Sequence, residues 1–358
     1  METILTILQF ALAFGLLVFF HEFGHFLASK WLGIEVEEFG FGLPPRLFRI
    51  FNWRGTDVTV NAVPFGAFVR PKGETDVNEP GSILAAPAWK RLLVMLAGPL
   101  MNFIVGILVL IVMYLAIGSP IDNKVLITEV VPASPAQSVG LLKGDIVTEV
   151  NGTVLINIED FQNRIRQAAG TELSLTVLRE TETMTLKVTP RLNPPAGQGA
   201  LGVGISNPLE PMPFFSAVGN AFETFGIQVA ETVKLPFRLI RGEVAPEDAR
   251  MVGIKGIYDI FNQANTMDAT AQVVASTPLP FYRMSLISVL SIALGITNLL
   301  PVPPTDGGQI VLLLPELLFK KRIPQTIVNR VNSIGYFLLI ALMLYITFQD
   351  IINPVIKP

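Results

Sequence analysis

The stretch "VFFHEFGHFLASK" (Val18–Lys30) places His21, Glu22 and His25 near the middle of an apolar run that extends from Ile4 to Leu32. These are the only two histidines in the chain. Four residues apart on a helix, they project from one face one turn apart, with Glu22 beside them. Two imidazoles so placed can hold one Zn²⁺ and an adjacent carboxylate can act as base, which is the chemistry of the pattern H-E-x-x-H. The run itself is long enough to cross about 30 Å of hydrocarbon, for which about 20 helical residues suffice. A charged side chain at the centre of such a span costs about 2.5–3.5 kcal/mol. A hydrogen bond between membrane helices returns only about 0.6 kcal/mol. A polar cluster that merely glues helices together does not offset that cost, so three ionisable groups here point to a metal site.

Composition extends the reading from the segment to the chain. Of 358 residues, 51% are hydrophobic and 15% charged, and the mean hydropathy is +0.53, well above a soluble domain. A net charge of -3 carries no suggestion of nucleic-acid binding, and the absence of cysteine excludes disulfides and thiolate chemistry. Three further runs are apolar enough to span: Leu92 to Ile117, Met284 to Leu300 and Ser333 to Ile352. The first run lacks the basic start and small-residue cleavage site of a signal peptide, so it is expected to be retained. Arg46, Arg49, Arg54, Arg70, Lys72, Lys90 and Arg91 lie between the first two runs, and Lys320, Lys321, Arg322 and Arg330 between the last two. Both connections are therefore expected on the cytoplasmic side, with both termini outside and about 165 residues exported between the second and third spans.

A catalytic zinc takes three protein ligands and leaves one position open. With no further histidine or cysteine available, the third ligand is expected to be a carboxylate, and the best candidate is Asp306 in "NLLPVPPTDGGQI" (Asn298–Ile310). The prolines and glycines there break the helix, and broken backbone at membrane depth must be buried in protein or line a watery cavity. The third span runs inward, which brings Asp306 to the same side as His21 and His25.

Within the exported segment, "VLITEVVP" alternates as a strand, and "GDIVTEVNG" reads as a strand closed by the turn pair Asn151 and Gly152. "NIEDFQNRIRQAAG" reads as a helix capped by Asn157 and stopped by Gly170. The strands "ELSLTVLR" and "MTLKVTPR" follow. This order resembles a PDZ domain in the permuted bacterial arrangement. Such domains bind a peptide or chain end as an added strand, and by that resemblance Gly199, Leu201 and Gly202 lie beside the groove. The other reading is a domain that only shields or filters by size. Pro213 to Gly242 reads as an amphipathic helix, either interfacial or packed beneath that domain.

"HEFGH" on the first span and "NLLPVPPTDGG" on a later one, with "GFG" (Gly40–Gly42), "PFGAFV" (Pro64–Val69) and "AGPLMN" (Ala97–Asn102), resemble the site-2 protease family of intramembrane zinc metalloproteases. The similar branch is the regulator of sigma-E protease type with a single PDZ domain. The resemblance implies that Asp306 is a zinc ligand beside His21 and His25 and that Glu22 is the catalytic base. It further implies that Asn102 lies near the active site and that Asn298 helps hold the substrate; either asparagine could supply an oxyanion donor. Thr305 replaces a usual leucine and Gln309 a frequent histidine, neither of them a ligand position. "MVGIKG" (Met251–Gly256) lacks an expected glycine-proline pair.

The fold class expected is thus a polytopic α-helical membrane protein of about four transmembrane helices, with one inserted extracytoplasmic α+β PDZ domain and a membrane-associated β-hairpin. Its divisions are residues 1–32 (first span with the zinc motif), 33–91 (cytoplasmic, membrane-dipping hairpin region), 92–117 (second span) and 122–206 (PDZ domain). Residues 207–280 form an extracytoplasmic amphipathic segment, 281–319 the third span with the Asp-Gly-Gly motif, and 333–352 the fourth span. Strand-like alternation in "GTDVTVNAVPFGAFV" (Gly55–Val69) suggests a hairpin whose Phe65, Gly66 and Phe68 pair with an unwound substrate. The alternative there is a plain cytoplasmic hairpin. The expected cofactor is Zn²⁺. The expected partners are the bilayer, a peptide or chain end at the PDZ domain, and single-span substrates such as anti-sigma factors or signal-peptide remnants. The location is a bacterial plasma membrane or a plastid one. A catalytically silent PDZ scaffold and a zinc transporter are the rival functions.

Overall fold

In the computed structural model, which describes residues 2–73, 80–195, 197–243, 251–272 and 280–356, the chain divides into two compact units. One comprises Met1–Ile111, Val218–Asn265 and Tyr282–Pro358, the other Val112–Ala217 and Thr266–Phe281. The first unit opens with α1 (Glu2–Leu32), whose two faces carry different chemistry. Phe19, Phe23 and Phe26, spaced along one face, pack on Phe39, Val36 and Val58, with Phe26 stacked on Phe39 at 5.0 Å and Phe19 on Phe41 at 5.2 Å. His21, Gly24 and His25 face α2 (Ala88–Ala116).

In chain order between these helices comes the antiparallel pair β1 (Val36–Trp53) and β2 (Thr56–Pro71). Both strands bend, so Glu38 faces both Asp57 and Arg70, and Phe41 faces both Val60 and Ala67. The outer half of β1 pairs with the start of β2, Arg49 opposite Thr59 and Trp53 opposite Thr56. The result is four lateral segments in the order 67–71, 36–41, 56–60, 46–53. Segment 67–71, beside α1, has no further strand partner among the described residues.

The second unit holds β3 (Ser119–Pro120), β4 (Val125–Val130), α3 (Pro135–Ser138), β5 (Ile146–Val150), β6 (Thr153–Val154) and α4 (Ile158–Gln167). β7 (Leu173–Arg179), β8 (Glu182–Val188), β9 (Val203–Ser206) and β10 (Leu209–Glu210) complete it. The main sheet runs β8-β7-β5-β4-β9 with β6 on β5, and β3 pairs with β10. Val125, Ile127, Val147, Leu175 and Val177 are fully buried between this sheet and its helices. Asn151 and Gly152 both take positive φ, as the tight turn from β5 to β6 demands. Asn157 caps α4 by accepting from the Asp160 N–H at 2.8 Å.

Beyond the sheet come α5 (Phe214–Ile240), α6 (Ile254–Gln272), α7 (Phe281–Asn298), α8 (Asp306–Phe319) and α9 (Gln325–Ile352). α7 packs on α2 through small residues: Ser291 Oγ donates to Asn102 O at 2.7 Å, and Gly295 admits the Phe103 ring. Asp350, buried on α9, accepts from the Gly253 and Gly256 N–H groups at the start of α6. Among the described residues, four helices are long and apolar enough to cross a membrane: Ile4–Leu32, Ala88–Ala116, Phe281–Asn298 and Gln325–Ile352. The last begins well before Ser333 because its first turns carry Gln325, Asn329 and Asn332, which an apolar-run criterion passes over. Likewise α7 stops at Asn298, since the prolines that follow cannot continue it.

Candidate metal centre

Three side chains from two helices converge in the first unit. His21 Nε2 lies 3.1 Å from Asp306 Oδ2, His25 Nε2 lies 3.4 Å from the same oxygen, and the two Nε2 atoms are 3.2 Å apart. Asp306 arrives as the first residue of α8, with Thr305 as N-cap accepting from the Gly308 N–H at 3.4 Å. A carboxylate there is favoured by the helix dipole. Gly307 and Gly308 press against Leu299 and Pro303, where any side chain would collide with backbone.

The protons in this cluster can be assigned. His25 Nδ1 donates to Val94 O at 2.7 Å, which leaves a lone pair on its Nε2. Fully buried Asn102 sits 3.0 Å from His21 Nδ1. With its amide oxygen turned to that nitrogen, it accepts the Nδ1 proton, gives a buried and otherwise unpartnered Oδ1 a donor, and frees His21 Nε2 as well. Asp306 Oδ2 is also buried without a hydrogen-bond partner. Three lone-pair atoms this close repel one another unless a cation lies among them. A tetrahedral ion with bonds of about 2.0–2.1 Å holds its ligands about 3.3–3.4 Å apart, close to the separations found. The donor set, two imidazoles and a carboxylate, suits zinc. Among the described residues it is the one group of three such ligand atoms gathered within 4.8 Å.

Space for the cluster depends on two glycines of the helix pair. A Cβ on Gly98 would strike His25 Nε2 and lie 2.9 Å from His21 Cε1. A Cβ on Gly24 would strike Ala97 O. Neither residue was singled out by sequence reasoning, although "AGPLMN" contains one and "HEFGH" the other.

Glu22 lies on a cavity of about 410 Å³ that it shares with His25 and Asp306. Its Oε2 accepts from the Val69 N–H at 3.2 Å, so segment 67–71 of β2 passes beside the cluster. Gly66 lies against Val18 and Gly15 of α1. The Phe68 ring covers Gly40 within the hairpin, and the Phe65 side chain lies outside the described residues.

Other expected site residues sit elsewhere. Asn298 donates to Leu294 O of its own helix at 3.1 Å, and Asn102 is engaged by His21. Gln309 lines the cavity and pairs with Asn332 at 2.6 Å. Leu201 is only 2% exposed, and its side chain belongs to the apolar core. Its backbone ties α3 to the sheet by accepting from the Ala136 N–H at 3.1 Å. Gly202 likewise accepts from Val131, and Gly199 from Gly202.

The model of peptidase family M50 matches residues 9–342. A Clostridium perfringens protein named "Putative zinc metalloprotease" is 33% identical over 347 residues, covering 96% of this chain and 98% of its own. The zinc metalloprotease RasP of Geobacillus kaustophilus is 28% identical, covering 98% of each. A PDZ domain of an SdrC-like protein from Listeria monocytogenes aligns with 24% of this chain and 92% of its own, at 17% identity and a TM-score of 0.22.

Proposed function

The chain belongs to peptidase family M50 and is a zinc metalloprotease, and from that premise we propose that it hydrolyses peptide bonds of single-span membrane proteins inside the bilayer. The observation that carries this reading is the His21, His25 and Asp306 cluster lying between helices apolar enough to span a membrane. His21, His25 and Asp306 hold the metal. Bound zinc supplies Lewis-acid polarisation of the scissile carbonyl and lowers the pKa of water to about 7. Glu22 takes the proton from the attacking water and delivers it to the leaving amine. Asn102 and Val94 O hold the two imidazoles in register through their Nδ1 atoms.

A helical substrate hides its carbonyls, so it must be unwound. Segment 67–71 offers an unpaired strand edge beside Glu22, to which an extended substrate can add. Its depth supports the assignment. Lys30 Nζ donates to Arg54 O at the hairpin tip, at 3.1 Å, whereas Gly66 lies against Val18, about 20 Å along the helix from Trp31. Trp31, Trp53 and Trp89 are exposed at the end of α1, the hairpin tip and the start of α2, in keeping with a membrane interface. The hairpin then dips from the cytoplasmic interface toward mid-membrane, and both termini are extracytoplasmic. The β-rich unit is a PDZ domain that admits or filters the substrate's exported end. α5 lies in the outer interface with Phe215, Phe222 and Ile240 in lipid. Substrates are anti-sigma-like proteins or signal-peptide remnants of a bacterial plasma membrane. In proteoliposomes with a tagged single-span substrate, mass spectrometry should place the cut within the apolar segment. Cuts confined to its polar flanks would contradict the proposal.

A further inference from the structure

The pairs His21 with Asn102, Gly24 with Ala97, His25 with Val94, and Leu32 with Lys90 show that α1 and α2 run antiparallel. Ser29 therefore stands opposite Arg91, one helical turn beyond His25, at about 6 Å along the axis. Ser29 is fully buried and Arg91 is 7% exposed. Ser29 Oγ and Arg91 Nε are both buried polar atoms without a hydrogen-bond partner. Of the six such atoms among the described residues, three belong to residues lining the single cavity described above, the third being Asp306 Oδ2. Orphaned donors are costly unless something accepts from them, and here two belong to residues that line one cavity.

Charged groups surround them. Arg91 and Arg322 both bond Glu316 on α8, and Arg322 also donates to Leu84 O at 2.9 Å. Two guanidinium groups thus share one carboxylate. Gln309 and Asn332, also on the cavity, satisfy each other. Glu22 and Asp306 line the same cavity, so three carboxylates stand beside the two guanidiniums before a metal is bound; what remains unpaired is a hydroxyl and a guanidinium N–H, a donor pair suited to an anion with planar oxygens.

We infer that Ser29 and Arg91 form a carboxylate subsite, one to two residues from the cleaved bond. That distance follows from about 6 Å at about 3.3 Å per extended residue. The inference rests on the reading of the chain as a membrane peptidase. The carboxylate is supplied either by an acidic substrate side chain near the scissile bond or by the new C-terminus of the amino-side product as it leaves the histidines.

The test measures binding to the zinc-loaded E22Q protein in detergent, so that it does not depend on turnover. One arm compares an apolar single-span peptide ending in a free carboxylate with the same peptide ending in an amide. The other compares intact peptides bearing Asp or Asn one and two positions either side of the bond that wild type cuts, or of the central bond if it cuts none. In at least one arm the acid should bind tenfold or more tightly, and S29A and R91K should each reduce that preference below threefold at unchanged zinc content. Should R91K lose zinc, S29A alone decides. Equal binding of acid and amide in both arms would overturn the subsite, leaving the recess filled by water. A preference that survives S29A would overturn it too, because the metal would then be the carboxylate's partner. Failure of wild type to cleave would count against the proposed function and leave this readout intact.

Discussion

In the β-rich unit, Val125, Val147, Leu175 and Val177 are buried together, and each contributes area removed from water. In the helical unit, the buried groups of consequence are His21, Asn102, Arg91 and Ser291, each needing a particular partner at a particular atom. A core of the first kind degrades gradually when a side chain is trimmed. A cluster of the second kind fails as a unit, because removing one member leaves its partners buried and unsatisfied. The contrast also explains why α1 must serve two masters: its phenylalanine face packs by area on the hairpin, and its histidine face is fixed by bonds to α2 and α8.

Gly98→Ala should show the difference most sharply. The added methyl would collide with His25 Nε2 and displace the ring, so zinc content should fall to background while the β-rich unit's unfolding is unchanged. Stoichiometric zinc in that variant would break the comparison. Leu175→Ala, at a fully buried position, should cost about 2–5 kcal/mol in denaturant unfolding of the β-rich unit, with zinc retained. Loss of zinc there would show the two regions to be coupled. Asn102→Ala should weaken zinc about 10–100-fold in chelator competition, leaving the β-rich unit untouched. Asn157→Ala removes only the α4 cap and should cost about 1 kcal/mol, the smallest of the four and confined to the β-rich unit.

What could be read before the structure divides along the same line. Strands and caps of the β-rich unit were legible because alternation, Asn-Gly turns and Asn157 act locally. His21, Glu22, His25 and Asp306 were legible because ionisable groups stand out in an apolar chain. The back-folding of β1 and β2 into four lateral segments was not, since the alternation of Gly55–Val69 says nothing of the bend that lets segment 36–41 pair on both sides. α6 was passed over because its sequence is neither apolar nor strongly periodic, and its start is set by Asp350 nearly a hundred residues away. Asn102 was expected near the reaction but its engagement of His21 was not foreseen, Ser29 and Gly98 carried no role, and Arg91 counted only toward orientation, because contacts between helices are not revealed by spacing along one of them.

The central claim is that Glu22 moves the proton at a zinc site built from His21, His25 and Asp306. The most direct measurement is cleavage of a tagged single-span substrate by purified wild type and Glu22→Gln, with zinc assayed on both. The account predicts one zinc per chain in each and a rate for the variant lower by about 10²–10⁴. Equal cleavage by the two proteins at equal zinc content would contradict it.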